Sequence, residues 1–135
     1  MKEIHVVAAV IYAPAGDHIL IARRPAHLHQ GGLWEFPGGK VNGDETAFTA
    51  LQRELREELA IVVKAALPLM EVSHRYPEKA VFLDIWEVRE FSGEPRGNEG
   101  QEIAWVKIRE LGSYSFPEAN SGIVSALTGP PRHSS

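Results

Sequence analysis

The stretch Gly38–Ile61, GGKVNGDETAFTALQRELREELAI, constrains this chain more than any other. Two glycines lead into Asn42-Gly43-Asp44, a strong turn signal, and then into a helical pattern that runs to about Leu59. Phe48, Leu51, Leu55 and Leu59 recur at spacings of three and four, so they form one apolar stripe. Glu54, Glu57 and Glu58 stand at i, i+3 and i+4 on a different face. Like charges at such spacings repel by a few tenths of a kcal/mol per pair. A solvated helix usually avoids this by interleaving lysine or arginine, but from Asp44 to Glu58 five acids meet two arginines. A divalent cation turns that repulsion into a binding site, because magnesium and manganese take hard oxygen ligands. The competing reading is an amphipathic surface helix with an acidic outer face.

At 135 residues the chain has the length of one compact domain, 1–135, with residues 129–135 expected to form a frayed tail. Its 44% hydrophobic and 24% charged residues suit a water-soluble globule. No apolar run approaches the roughly 18 residues of a membrane span. The start, Met1-Lys2-Glu3-Ile4-His5, leads straight into a strand-like pattern without a signal-peptide signature, so a cytoplasmic location is expected. The absence of cysteine excludes disulfides, a thiolate metal site and a cysteine nucleophile. A net charge of -4 argues against binding a nucleic-acid polymer, which needs a basic surface. It leaves room for a nucleotide that arrives with its own metal.

Taken in order, Val6–Tyr12 is a buried strand candidate, and His18–Ala22 is its hairpin partner across a Pro14-Gly16-Asp17 turn. Arg23 and Arg24 end that strand, either as solvated edge charges or as forks for phosphate or a base edge. His27 and His29 read as polar loop surface. Trp34, Glu35 and Phe36 form a short strand before the glycines, with Trp34 expected in the core. Gly38-Gly39 permits close backbone approach to a ligand. After the helix, a strand starts at Ile61–Val63 and is expected to break at Leu67-Pro68. Met70–Tyr76 and Ala80–Val88 then pair antiparallel around Pro77-Glu78-Lys79. Tyr76, Val81 and Leu83 fit either a pocket that stacks a base or plain sheet core. Ser92–Gly100 is a loop in which Glu99 reads, on its own, as a solvated acid. Ile103–Val106 is a last strand with Trp105 expected to pack, and Asn120 fits the N-cap of a final helix carrying Ile123, Val124 and Leu127. Strands, helix, strands, helix predicts an α+β fold with helices covering a mixed sheet.

Gly39, Glu45, Arg53, Glu54, Leu55, Glu57, Glu58 and Ile61 fall on the pattern G-x5-E-x7-R-E-U-x-E-E-x-G-U, the Nudix box, in which U is a bulky aliphatic residue. The chain therefore resembles the Nudix hydrolase family. One position departs: Ala60 stands where the family has glycine, so a reshaped helix exit is expected. The likeness covers nearly the whole chain and is nearest to the MutT-type 8-oxo-dGTP diphosphatases. Its carriers are Arg23-Arg24, Trp34–Lys40, Gly93-Glu94-Pro95, Glu99-Gly100-Gln101 and Phe116-Pro117-x-Ala119-Asn120. Lys79 stands where close relatives tend to carry arginine.

The resemblance implies an α/β/α sandwich and metal-assisted hydrolysis of a nucleoside triphosphate. By it, Glu54, Glu57 and Glu58 hold Mg2+ or Mn2+, with the Gly39 carbonyl and Glu99 as further ligands. Glu54, or in second place Glu99, takes the proton from water. Arg53 orients the glutamates, and Glu45 anchors Arg53 or the loop. Arg24 contacts substrate, Asn120 reads the purine edge with backbone help at Phe36, and Tyr76 is a stacking candidate. The expected substrate is 8-oxo-dGTP, split to 8-oxo-dGMP and pyrophosphate by a monomer or weak dimer, without nucleic-acid or membrane partners. CTP or a modified pyrimidine nucleotide is the alternative substrate, and a catalytically silent nucleotide-binding domain is the alternative class.

Overall fold

The computed structural model describes residues 3–28 and 31–129. The expectations for His29 and for the tail beyond Gly129 fall outside the described residues. Seven strands form one mixed sheet: β1 (Glu3–Tyr12), β2 (His18–Arg23), β3 (Trp34–Glu35), β4 (Gly38–Lys40), β5 (Val62–Tyr76), β6 (Lys79–Ser92) and β7 (Ile103–Lys107). The main order is β3-β2-β1-β6-β5, with β4 on β1 and β7 on β2. β1 and β6 run parallel from Glu3↔Ala80 to Ile11↔Val88, and the other pairs are antiparallel. Helix α1 (Ala47–Leu59) covers one face. Two 3-10 turns and α2 (Ser121–Thr128) cover the other, giving the expected α/β/α sandwich.

The continuous apolar run of β1 follows from this layering. Val7, Ala9 and Ile11 face α1, whereas Ala8, Val10 and Tyr12 face α2. The α1 stripe is buried through Leu51, Leu55 and Leu59, all 0% exposed, with Ala50 added and Phe48 only half-buried. Burying each leucine contributes roughly 1.5–3 kcal/mol. That exceeds the few tenths lost per acidic pair on the neighbouring face, so the apolar face decides the helix. The Thr46 side-chain oxygen accepts from the Thr49 N–H at 3.1 Å and closes its first turn.

Three expectations are corrected. β5 does not break at Leu67-Pro68. It absorbs Pro68 through register shifts between Val63 and Met70, which an edge strand tolerates because one side of its backbone needs no partner. Trp105 does not pack inside: it is 37% exposed, because Val106 turns inward and strand alternation sends its neighbour out. The exit of α1 is not reshaped. Ala60 takes the left-handed conformation itself, φ 61° and ψ 32°, with its N–H bonded to the Arg56 and Leu55 carbonyls. An L-side chain there is strained by about 1 kcal/mol. Ala60→Gly should therefore raise the unfolding free energy by about 1 kcal/mol, read as a higher urea midpoint at unchanged slope. An unchanged or lower midpoint would show that no strain is stored at this exit.

Candidate active site

The acidic face of α1 is ordered by one guanidinium. Arg53 grips Glu45 with two bonds, Nε to Oε2 at 2.6 Å and Nη2 to Oε1 at 2.9 Å. Nη2 also donates to the Lys40 carbonyl at 3.1 Å, and Nη1 donates to Glu54 at 3.0 Å and to Glu57 at 3.5 Å. Glu45 Oε1 further accepts from the Asn42 N–H at 2.9 Å, so it anchors both the arginine and the turn before α1. Its hydrogen bond to Arg53, then the one from Asn42, lower its pKa from 4.5 to about 2.

β4 crosses beside this network. A Cβ at position 39 would come within 2.5 Å of both Glu54 carboxylate oxygens, so any larger residue there would push the Glu54 carboxylate out of its place. Glu58 is half-buried, and its carboxyl is held well above the usual glutamate range. Burial is the main cause, followed by a hydrogen bond with Glu54 and the charges of Glu54, Glu35 and Glu99. Four carboxyls from α1, β3 and the 93–102 loop thus lie close enough to feel one another. Glu57 stands more exposed at the rim, its side chain 54% accessible. Among the described residues, no three acidic or imidazole side chains stand gathered closely enough to hold a metal ion as they are placed. The donor set is nevertheless all hard oxygen, and its members repel until a proton or a cation intervenes. That chemistry suits a hard divalent cation such as Mg2+ or Mn2+, for which Glu54, Glu57, Glu58, Glu99 and the Gly39 carbonyl are the candidate ligands.

A cleft of about 420 Å3 opens beside the carboxylates. Gly39, Glu58, Glu99, Arg24, Phe36 and Asn120 line it together, and Val81 and Leu83 give it an apolar wall. Arg24 is not a bare edge charge: its Nη1 donates to Glu35 at 2.9 Å. Phe36 is buried and stacks on Phe116 at 5.2 Å. Asn120 occupies the N-cap position of α2 but makes no capping hydrogen bond with its side chain. Tyr76 is not among the lining residues. Its ring meets His74 edge-on, and its hydroxyl accepts from the Ala119 N–H at 3.4 Å, so it braces the turn that carries Asn120. Lys79 also lines the cleft, and His27 lines a second hollow next to it.

Two features escape a reading of the sequence alone. Glu35 faces the cleft, and burial raises its pKa against the lowering pull of Arg24. Its only sequence signal is an acid between two aromatics, since nothing in the spacing announces that Ala22 pairs with Glu35. Gln101 lines the cleft and ties the 93–102 loop to α1, but a glutamine in a polar loop carries no signal of its own.

The depressed pKa of Glu45 fixes the sign of a pH effect. Because the folded value lies below the unfolded one, the stabilisation is complete above about pH 4.5 and is lost as pH falls towards about 2. Glu45→Gln should flatten the loss of stability across that window, measured as urea midpoint against pH. Parallel curves for variant and wild type would contradict the pairing.

The comparisons agree with this geometry. A NUDIX domain profile matches residues 7–126. The chain is 33% identical over 127 residues to an 8-oxo-dGTP diphosphatase of Escherichia coli K12, covering 94% of this chain and 98% of that protein. It is 38% identical over 127 residues to a CTP pyrophosphohydrolase of the same strain, covering 94% and 93%. A solved MutT from a study of Aliivibrio salmonicida and Vibrio cholerae superposes with a TM-score of 0.84 at 40% identity, covering 94% of this chain and 98% of that one. With the sandwich, the acidic helix and the glycine strand in place, the chain belongs to the Nudix hydrolase family and has MutT-type relatives.

Proposed function

We propose that this chain is a magnesium-dependent nucleoside triphosphate pyrophosphohydrolase that splits 8-oxo-dGTP into 8-oxo-dGMP and pyrophosphate. The observation that supports this most is the shared cleft: carboxylates at Glu58 and Glu99 border the same space as the Asn120 amide, which is not spent on capping α2. Oxidation at C8 turns guanine N7 from an acceptor into an N–H donor. An asparagine amide offers both an acceptor and a donor, so it can accept from N7–H and donate to O6. Unmodified guanine would set acceptor against acceptor, and an unpaired buried group costs about 1–3 kcal/mol.

In the proposed reaction, water attacks the β-phosphorus and the bond from that phosphorus to the α–β bridging oxygen breaks. Glu54, with Glu99 in second place, takes the proton from the attacking water. When bound, a divalent ion supplies neutralisation of the phosphates and a more acidic water. Arg53 keeps Glu54 and Glu57 in place, and Glu45 keeps Arg53 in place. Arg24, steadied by Glu35, meets the substrate, and the Phe36 backbone assists at the base. The cellular role would be to clear oxidised guanine nucleotides before a polymerase uses them, in the cytoplasm, by a monomer or weak dimer.

CTP hydrolysis is the second reading, favoured by the 38% identity to a CTP pyrophosphohydrolase. A turnover panel of 8-oxo-dGTP, dGTP and CTP at low substrate with magnesium separates the two. The expected order puts 8-oxo-dGTP first, and Asn120→Ala should erode its lead over dGTP by about 10-fold or more while hydrolysis persists. CTP turning over fastest would favour the second reading. An Asn120→Ala variant that only melts earlier, with selectivity intact, would reduce Asn120 to a structural residue.

A further inference from the structure

The last turn of α1 leaves backbone carbonyls without helical partners, and the 93–102 loop takes them up. Arg96 N–H donates to the Leu59 carbonyl at 3.1 Å, and Asn98 N–H donates to the Glu58 carbonyl at 2.9 Å. The Asn98 side-chain amide donates to the Glu57 carbonyl at 3.0 Å. These three bonds dock the loop, but none of them touches Glu99. Gln101 does. Its Oε1 accepts from the Glu99 backbone N–H at 2.9 Å, while its Nε2 donates to the Glu58 carbonyl at 3.0 Å.

We propose that Gln101 is a positioning residue, an amide clamp that fixes Glu99 in register with the α1 carboxylates. One side chain joins the backbone of a loop acid to the backbone of a helix acid, and both acids line the same cleft. The turn is built tightly around it. Gly100 N–H donates to the Gly97 carbonyl at 3.0 Å, and a Cβ at position 97 would lie 2.0 Å from the Gln101 carbonyl oxygen. Glu99 itself is exposed, and without the clamp its backbone is tied only through its neighbours. A shift of about 1 Å in a reacting group can cost on the order of 100-fold in rate. The inference rests on the reading above, in which Glu99 serves the hydrolysis as ligand or base.

Gln101→Met keeps the length of the side chain and removes both bonds. Gln101→Ala, which also removes both bonds, serves if the methionine variant does not fold. Either should lower kcat for 8-oxo-dGTP by about 10- to 100-fold with little change in KM. In a Glu99→Gln background the same substitution should cost nothing further, because Gln101 acts through Glu99. Independent, multiplying losses would overturn the proposal. A second readout needs no turnover: in the metal-free full chain, the Glu99 amide hydrogen should exchange about 10-fold faster in the variant while the core of α1 stays protected. Unchanged exchange at Glu99 would refute the clamp. Wild-type protein that hydrolyses no nucleotide would instead refute the proposed function, and the exchange result would still decide the clamp.

Discussion

Arg53 spends its donors on a carboxylate before the helix, a strand carbonyl and two carboxylates on its own helix. A lone acidic face would repel itself and let its long side chains scatter. Here one planar fork fixes Glu45 in two-bond geometry and reaches Glu54 and Glu57 from the same group. Such geometry is directional as well as attractive. The Lys40 carbonyl ties β4 to the same arginine, so the glycine strand and the acidic helix are aligned by a shared contact.

The site is assembled around both ends of α1 from separate parts of the chain. The turn before the helix contributes Glu45, β4 contributes the Gly39 backbone, and the loop after β6 brings Glu99 by binding the carbonyls of the last turn. Ala60 completes that exit in a left-handed conformation, which leaves the Glu57, Glu58 and Leu59 carbonyls turned towards the loop. Asn120 comes from the other face of the sheet, on a turn braced by Tyr76. The cleft lies over strands β1, β4 and β6, with Glu58 of α1 and Asn120 before α2 also lining it, which is why residues more than eighty positions apart share one space.

Much of this is legible in the residues. The period of 3.6 that buries Leu51, Leu55 and Leu59 also sets Glu54, Glu57 and Glu58 on one face, so helix and acidic patch are read by the same arithmetic. The apolar run Val6–Tyr12 announced a buried strand, and both of its faces are covered. Family likeness marked Arg24, Phe36, Glu99 and Asn120, and these side chains do share a cleft. Of the two roles open to Tyr76, the sequence could not choose, because alternation along a strand gives a face but not a depth. Pro68 misled because a proline breaks a central strand and not an edge, and edges are set by long-range pairing. Glu35 and Gln101 stayed hidden for the same reason: each matters through a partner that only the tertiary fold brings near.

The account stands on the carboxylates of α1 gathering around one divalent ion. Anomalous diffraction from crystals of this protein soaked in Mn2+ measures that directly. The account predicts a manganese peak bounded by Glu54, Glu57 and Glu58 and facing the Gly39 carbonyl. A peak bound elsewhere, or none there at a Mn2+ concentration that supports turnover, would contradict it.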